Sequence, residues 1–250
     1  MVTSSKSVLV TGANGGIGRA VIKVMAERGF NIYAHARKKD AEFEKYLEDL
    51  RKKHLVEVTS LYFDLTDYEA MKTKITALIK EADSIDVLVN NAGVAHGDFF
   101  SMTKLQTIKD IFEVNLFAGM ELTHYILRKM SRQKSGCIIN LSSIAAINVR
   151  PGNSAYGVSK AAVKAWTETL ATEVAALGIR VNAVAPSLTD TRMANLMEEK
   201  AGERMISDSA MKRLAKPEEV ANVIAFLASE EASFVNGQTI VVNGGEGGLR

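Results

Sequence analysis

The sequence predicts an α/β fold: one doubly wound, parallel sheet of about seven strands with helices on both faces. Three observations lead there. Short apolar runs alternate with longer amphipathic stretches from end to end, the signature of strand–helix crossovers packed on both sides of a sheet. Several of the runs, such as "SVLVTG" (7–12), are apolar throughout rather than alternating, as strands buried on both faces should be. The chain of 250 residues, 47% hydrophobic, can bury a sizeable core, and it shows no internal repeat, low-complexity tract or Gly/Ser linker. A single domain over 1–250 is therefore expected, with 187–215 as its least regular part.

In order, the first strand ends at Gly12. A helix follows in which Ile17, Ala20, Val21, Val24 and Met25 recur at helical spacing, closed by Gly29. "NIYAHA" (31–36) reads as the second strand, 40–53 as a charged helix whose "RKK" end faces solvent, and 56–63 as the third strand. Helix 67–82 turns Met71, Ile75, Leu78 and Ile79 to one side, and 85–93 is a strand running into a loop. A long helix spans 103–132, with an irregularity near Asn115. Then come strand 136–143, helix 154–177, strand 178–186, helix 217–229 and strand 238–244.

Charge excludes some classes. With a net charge of +2 and cations spread along the chain, binding to nucleic acid or an anionic membrane is not expected. One cysteine, Cys137, forms no internal disulfide, and the four histidines lack a zinc spacing. No apolar run approaches the ~20 residues of a membrane span, and the opening "MVTSSKSVLVTG" lacks the pattern of a signal peptide. A soluble protein of a reducing cytoplasm is the expectation.

"TGANGGIG" (11–18) lies between the first strand and the first helix. Gly12, Gly16 and Gly18 permit a tight turn and close approach of a ligand, while the helix N-terminus offers N–H groups and a positive dipole end to an anion. This suits a dinucleotide. At the end of the second strand, an acid would favour the free 2′-hydroxyl of NAD and a cation the 2′-phosphate of NADP. The chain reads "AHARKKD", with Arg37, Lys38 and Lys39 there, so NADP(H) is expected over NAD(H); Asp40 could reach back to the ribose. Further along, Tyr156 and Lys160 are helical neighbours four residues apart. A cation so placed lowers a phenol's pKa from its usual ~10, making it a better acid.

Together these pieces resemble the short-chain dehydrogenase/reductase family over essentially the whole chain. "TGANGGIG" is similar to its cofactor loop, "FDLTD" (63–67) to its adenine-contacting segment, "NNAG" (90–93) to its adenine-flanking turn, and "VNLF" (114–117) to the segment with its helical Asn. Ser143 stands thirteen residues before Tyr156, as in the family's Ser–Tyr–Lys set. The resemblance implies a Rossmann-like fold and a nicotinamide cofactor held by Gly12, Asn14, Gly15, Gly16, Ile17, Gly18, Arg37, Asp64, Leu65, Asn91, Ala92, Gly93, Tyr156, Lys160, Pro186, Thr189 and Thr191. It makes Tyr156 the proton donor to a carbonyl, with Ser143 stabilising the oxygen. Lys160 would hold the nicotinamide ribose, and Asn115 would anchor a water that relays protons. Ser142 is then structural. "VAPSLTDTRM" (184–193) departs from the family pattern at Ser187, where Gly is usual; a positive φ there would be costly for Ser.

The C-terminal part most resembles bacterial 3-oxoacyl-[acyl-carrier-protein] reductases. These use basic residues near the entrance to meet an acidic carrier, and the matching positions here are Lys134, which fits, and Leu177, which does not. A carrier-linked 3-oxoacyl substrate is the leading expectation, with a free ketone or secondary alcohol (sugar, steroid or other small molecule) as alternative and a non-catalytic NADPH sensor behind both. Met193, Leu196, Met197, Met205 and Ile206 either line an apolar cleft under a lid or pack as an ordinary amphipathic helix. The resemblance also implies a homotetramer built through helices 103–132 and 154–177 and the last strand.

Overall fold

A computed structural model describes residues 6–190, 206 and 208–246. Seven strands form one parallel sheet: β1 (Ser7–Val10), β2 (Asn31–Ala36), β3 (Val58–Tyr62), β4 (Val87–Asn90), β5 (Gly136–Leu141), β6 (Ile179–Pro186) and β7 (Thr239–Val242). Their spatial order is β3-β2-β1-β4-β5-β6-β7. The register pairs Val8 with Ile32 on one side and with Val87 on the other. Because β1 is the strand at which the winding direction reverses, its carboxyl end opens a crevice between neighbouring connections.

Among the described residues, seven α-helices cover the sheet: α1 (Gly16–Glu27), α2 (Ala41–His54), α3 (Tyr68–Glu81), α4 (Leu105–Phe112), α5 (Ala118–Gln133), α6 (Ser154–Val174) and α7 (Pro217–Leu227). Alternation along each strand divides the core into two layers. Val8 and Val10 of β1 and Val87 and Val89 of β4 face α1, α2 and α7, joining Val21, Met25, Phe43 and Ile224. Leu9 and Leu88 face the other way, against Met71, Ile75, Leu122, Ile126 and Leu170. Burying each such side chain contributes about 1.5–3 kcal/mol, so both apolar helix stripes are bound to the sheet.

The elements follow the sequence closely. The irregularity expected near Asn115 is a π turn, Glu113–Phe117, which divides the long helix into α4 and α5. The strand read as 56–63 pairs only from Val58 to Tyr62. Helix α2 starts on Asp40, whose Oδ1 accepts from the Phe43 N–H at 2.9 Å, so Asp40 serves as its cap. Its Arg51, Lys52 and Lys53 lie in the last turn of the same helix, where cations suit the dipole. Short 3-10 turns at Ile144–Ala146 and Glu230–Ala232 have no clear signal in the sequence. No helix among the described residues is long and apolar enough to cross a membrane.

Candidate active site

The loop motif residues placed by the structure lie at the carboxyl ends of the strands, whereas Asn115 sits in the π turn and Tyr156 and Lys160 in α6. Gly12 follows β1, Arg37 follows β2, Asp64 and Leu65 follow β3, and Asn91, Ala92 and Gly93 follow β4. Ser143 follows β5, and Pro186 ends β6, with Thr189 just beyond.

The glycine loop is shaped by contacts that side chains would obstruct. Gly12 has φ +61°, and a Cβ there would stand 3.0 Å from Ala92 Cα. A Cβ on Gly18 would come within 2.2 Å of the Gly12 carbonyl oxygen, so α1 can close on its own loop only with glycine at that position. Helix α1 begins at Gly16 with no side-chain cap and no acid in its first turn. Its N–H groups therefore remain free for an anion such as a pyrophosphate. Asn14 and Gly15 are exposed on the loop, and Ile17 is half-buried.

Two groups that the sequence reading passed over hold this loop. Thr11 Oγ1 accepts from the N–H groups of Asn91 and Ala92, both at 3.0 Å, while Asn91 Nδ2 donates to the Thr11 carbonyl at 2.8 Å and the Gly12 carbonyl at 3.1 Å. His35 is buried; its Nδ1 accepts from the Gly12 N–H at 3.4 Å and its Nε2–H donates to the Phe63 carbonyl at 2.9 Å. Burial pushes its pKa down to about 4, so the ring stays neutral near pH 7. The only signal for Thr11 was its place after β1, and His35 had none within an apolar strand.

Beyond β2, Arg37, Lys38 and Lys39 are exposed. Asp64 is half-buried, and its Oδ1 accepts from the Thr66 N–H at 3.0 Å and hydroxyl at 2.8 Å. These bonds, chiefly the backbone one, hold its carboxyl below the usual range, with a smaller contribution from Arg37.

Lys160, Asn115 and Gly93 meet at one point. A Cβ on Gly93 would lie 3.1 Å from Asn115 Oδ1 and 3.2 Å from Lys160 Nζ. Lys160 is buried, its Nζ donates to the Leu141 carbonyl at 2.8 Å, and burial lowers its pKa to about 8. The Asn115 amide is fully engaged: Oδ1 accepts from the Val94 N–H at 2.8 Å, and Nδ2 donates to the Val94 carbonyl and to Ser159 Oγ, both at 3.0 Å. Ser159, also unforeseen, donates to the Tyr156 carbonyl at 2.7 Å. Ser142 donates to the Lys160 carbonyl at 2.9 Å, a bond from strand to helix that fits a structural part.

Tyr156 departs from expectation. Its pKa is raised, because burial outweighs the opposing hydrogen bond from Ser143, and Lys160 does not lower it. The ammonium is committed to the Leu141 carbonyl; spacing brought the two residues to one helix face without fixing where the charge points. Ser143 itself is buried, and its Oγ accepts from the Ala145 N–H at 3.2 Å.

Ser187 has no positive φ, so it replaces glycine without backbone strain. It donates its N–H to the Val242 carbonyl at 2.9 Å. Thr189 is buried, with its hydroxyl donating to the Ser187 carbonyl at 3.1 Å. Thr191, Met193, Leu196, Met197 and Met205 lie outside the described residues, whereas Ile206 is half-buried.

Lys134 is not at the entrance of its own chain's site. It caps α5 with φ 54°, two residues before β5, and Leu177 precedes β6 in the same way. The length of β5, about 20 Å at ~3.3 Å per residue, separates Lys134 from Ser143.

Comparisons with known proteins agree with this geometry. The family model described as enoyl-(acyl carrier protein) reductase matches residues 12–246. The 3-oxoacyl-[acyl-carrier-protein] reductase FabG of Staphylococcus epidermidis is 36% identical over 241 residues, which cover 96% of this chain and 98% of that protein. FabG of Thermotoga maritima is 37% identical over 247 residues, covering 98% and 99%. Among solved structures, YwfH, an NADPH-dependent reductase involved in bacilysin biosynthesis, is similar with a TM-score of 0.90 and 28% identity, over 97% of this chain and 98% of its own. With a glycine loop at the reversal point of the sheet and a Ser, Tyr and Lys at the next strand end, the chain belongs to the short-chain dehydrogenase/reductase family of NAD(P)-dependent oxidoreductases, acting on CH–OH and C=O groups.

Proposed function

We propose that this oxidoreductase is an NADPH-dependent carbonyl reductase that acts on a 3-oxoacyl thioester, with Tyr156 as proton donor. The observation that carries the proposal is the convergence of Ser143, Tyr156, Lys160 and Asn115 beside a glycine loop whose helix end is left free for a pyrophosphate. When bound, the cofactor supplies the hydride to the carbonyl carbon. The chain's own residues must hold the substrate and deliver a proton. Because burial raises its pKa, Tyr156 is protonated at neutral pH, the state a donor to a carbonyl oxygen requires. The Ser143 hydroxyl donates to the same oxygen and stabilises its developing charge. Lys160 serves the nicotinamide ribose and, with a pKa of about 8, can return a proton to Tyr156 near neutrality. Asn115 holds Val94 against α6 and keeps the Gly93 turn beside Lys160, where a water relay to solvent would run.

The rest of the cofactor site falls to the glycine-loop residues, Asp64, Leu65, Asn91, Ala92, Gly93, Pro186, Thr189 and Thr191. Preference for the 2′-phosphate rests on exposed Arg37, Lys38 and Lys39, and on Asp40 being occupied as a cap. The thioester reading draws its support from the two FabG relatives, whose names specify that substrate. We take the whole chain as one dinucleotide-binding domain, with 187–215 as the substrate segment, and the enzyme as a cytoplasmic one.

The test is the initial rate of NADPH oxidation with a short 3-oxoacyl thioester, a simple cyclic ketone and a 2-enoyl thioester. Turnover of the 3-oxoacyl thioester alone, lost in Tyr156→Phe by roughly 10²-fold or more as expected for removal of a positioned acid, supports the proposal. Turnover of the ketone alone moves the substrate to a free carbonyl compound. A Tyr156→Phe variant that keeps wild-type rates removes the mechanism.

A further inference from the structure

Beyond these residues, one cluster of charges joins three segments around the site. Arg150 lies in the connection between Ser143 and Tyr156. Its Nη2 donates to Glu246 Oε1 at 2.8 Å and to Asp208 Oδ2 at 3.0 Å. Glu246 belongs to the tail beyond β7 and has only 2% of its side chain exposed. Burial pushes its carboxyl pKa up, and Arg150 opposes that shift. Asp208 is 38% exposed and is the lesser partner.

The same three segments are tied by other bonds. Ser209 Oγ and the Met211 N–H donate to the Gly244 carbonyl at 3.2 and 3.1 Å, and Asn243 Nδ2 donates to the Glu246 carbonyl at 2.8 Å. The tail therefore has a defined shape into which Arg150 inserts its charge. On the other side, the turn after Ser143 rests on the first turn of α6, where the Ala145 carbonyl oxygen would lie 2.8 Å from a Cβ on Gly157. Further along, the Gly152 carbonyl accepts from the Asp98 N–H at 3.0 Å. Between these supports runs an arch that carries the fully exposed Val149. Removing the cation would leave a buried carboxylate unpaired, a costly state, so the pair fixes the arch firmly.

We propose that Arg150 and Glu246 are positioning residues, whose ion pair, with the carboxylate buried and the Arg150 side chain 32% exposed, clamps the Ser143-to-Tyr156 connection to the C-terminal tail and so keeps both hydroxyls aimed at one carbonyl oxygen. The proposal rests on reading Ser143 and Tyr156 as the reacting pair. Neither charge takes part in proton transfer. The clamp explains why a cation stands on a loop otherwise rich in small and apolar residues, and why an acid is buried a few positions after the last strand.

The experiment compares the full chain with Arg150→Gln, Glu246→Gln, the double variant and the exchanged pair Arg150→Glu/Glu246→Arg. Amide hydrogen exchange over 144–153 and 11–18 is measured with kcat and the NADPH Kd. Both single variants should exchange faster over 144–153 and unchanged over 11–18, keep the NADPH Kd, and lose kcat by roughly tenfold or more, as misplaced reacting groups do. The double variant should be no worse than either single one, because the two act as a unit, and the exchanged pair should recover part of both readouts. If a Gln variant does not fold, Arg150→Lys and Glu246→Asp provide the comparison. Unchanged exchange over 144–153, or strictly additive losses of kcat, overturns the clamp. The exchange readout does not depend on turnover, so a fully active Tyr156→Phe would remove the reacting-pair reading separately.

Discussion

At the residue scale, His35 shows how a side chain outside every motif can govern the glycine loop. Its ring joins the turn after β1 to the end of β3 through Gly12 and Phe63, and only the neutral ring can accept from the Gly12 N–H. The pKa of about 4 lies below the usual histidine value, so the unfolded chain binds the proton more readily than the folded one. The stabilising contribution is therefore complete above about pH 6.5 and is lost as pH falls toward 4, amounting to about 3 kcal/mol by then. Urea unfolding of the protein and of His35→Gln, at pH 7 and pH 4.5, checks this. The wild type should lose more stability than the variant over that interval, and parallel losses would refute the assignment. Tyr156 teaches a related lesson. Its distance from Lys160 could be read from sequence spacing, but the direction of its pKa shift depends on burial and on where Nζ points.

At the scale of elements, α2 is the clearest case of local chemistry placing a helix. Asp40 caps it, Glu42 and Glu44 occupy its first turn, and Arg51 to His54 its last, an arrangement that complements the helix dipole at both ends. Asp40→Ala should lower unfolding free energy by about 1 kcal/mol and leave the preference for NADPH over NADH unchanged. Arg37→Asp should do the reverse, reducing the NADPH/NADH affinity ratio by roughly tenfold or more through loss of a charge-assisted hydrogen bond. Titration of both cofactors into each variant measures this. A changed ratio in Asp40→Ala would restore that carboxylate to the ribose site.

At the scale of the molecule, the described surface leaves Phe117 exposed at the end of the π turn, Met120 and Val158 on α5 and α6, and Phe226 and Val241 on α7 and β7. These apolar groups suit burial against further copies of the chain, and we expect a homotetramer. Sedimentation velocity should give one species near four times the monomer mass, and a monomer across micromolar concentrations would exclude it. Most of the architecture was legible in the sequence. The apolar runs of β1, β4, β5 and β6 announced a sheet covered on both faces, and the glycine loop announced the reversal point. The 3-10 turns were not legible, since three residues carry too little periodicity. The motif position of Lys134 did not reveal that all of β5 lies between it and Ser143 of the same chain. The π turn at Glu113–Phe117 has a last consequence, for the chain's tolerance of length changes. It holds one residue more than an α-helical turn, so a single deletion there can be absorbed by closing the turn to α geometry. Leu122, Ile126 and Met130 would then keep their place against the sheet, while Asn115 would lose its grip on Val94. What the extra residue secures is the placing of Asn115, not the packing of α5.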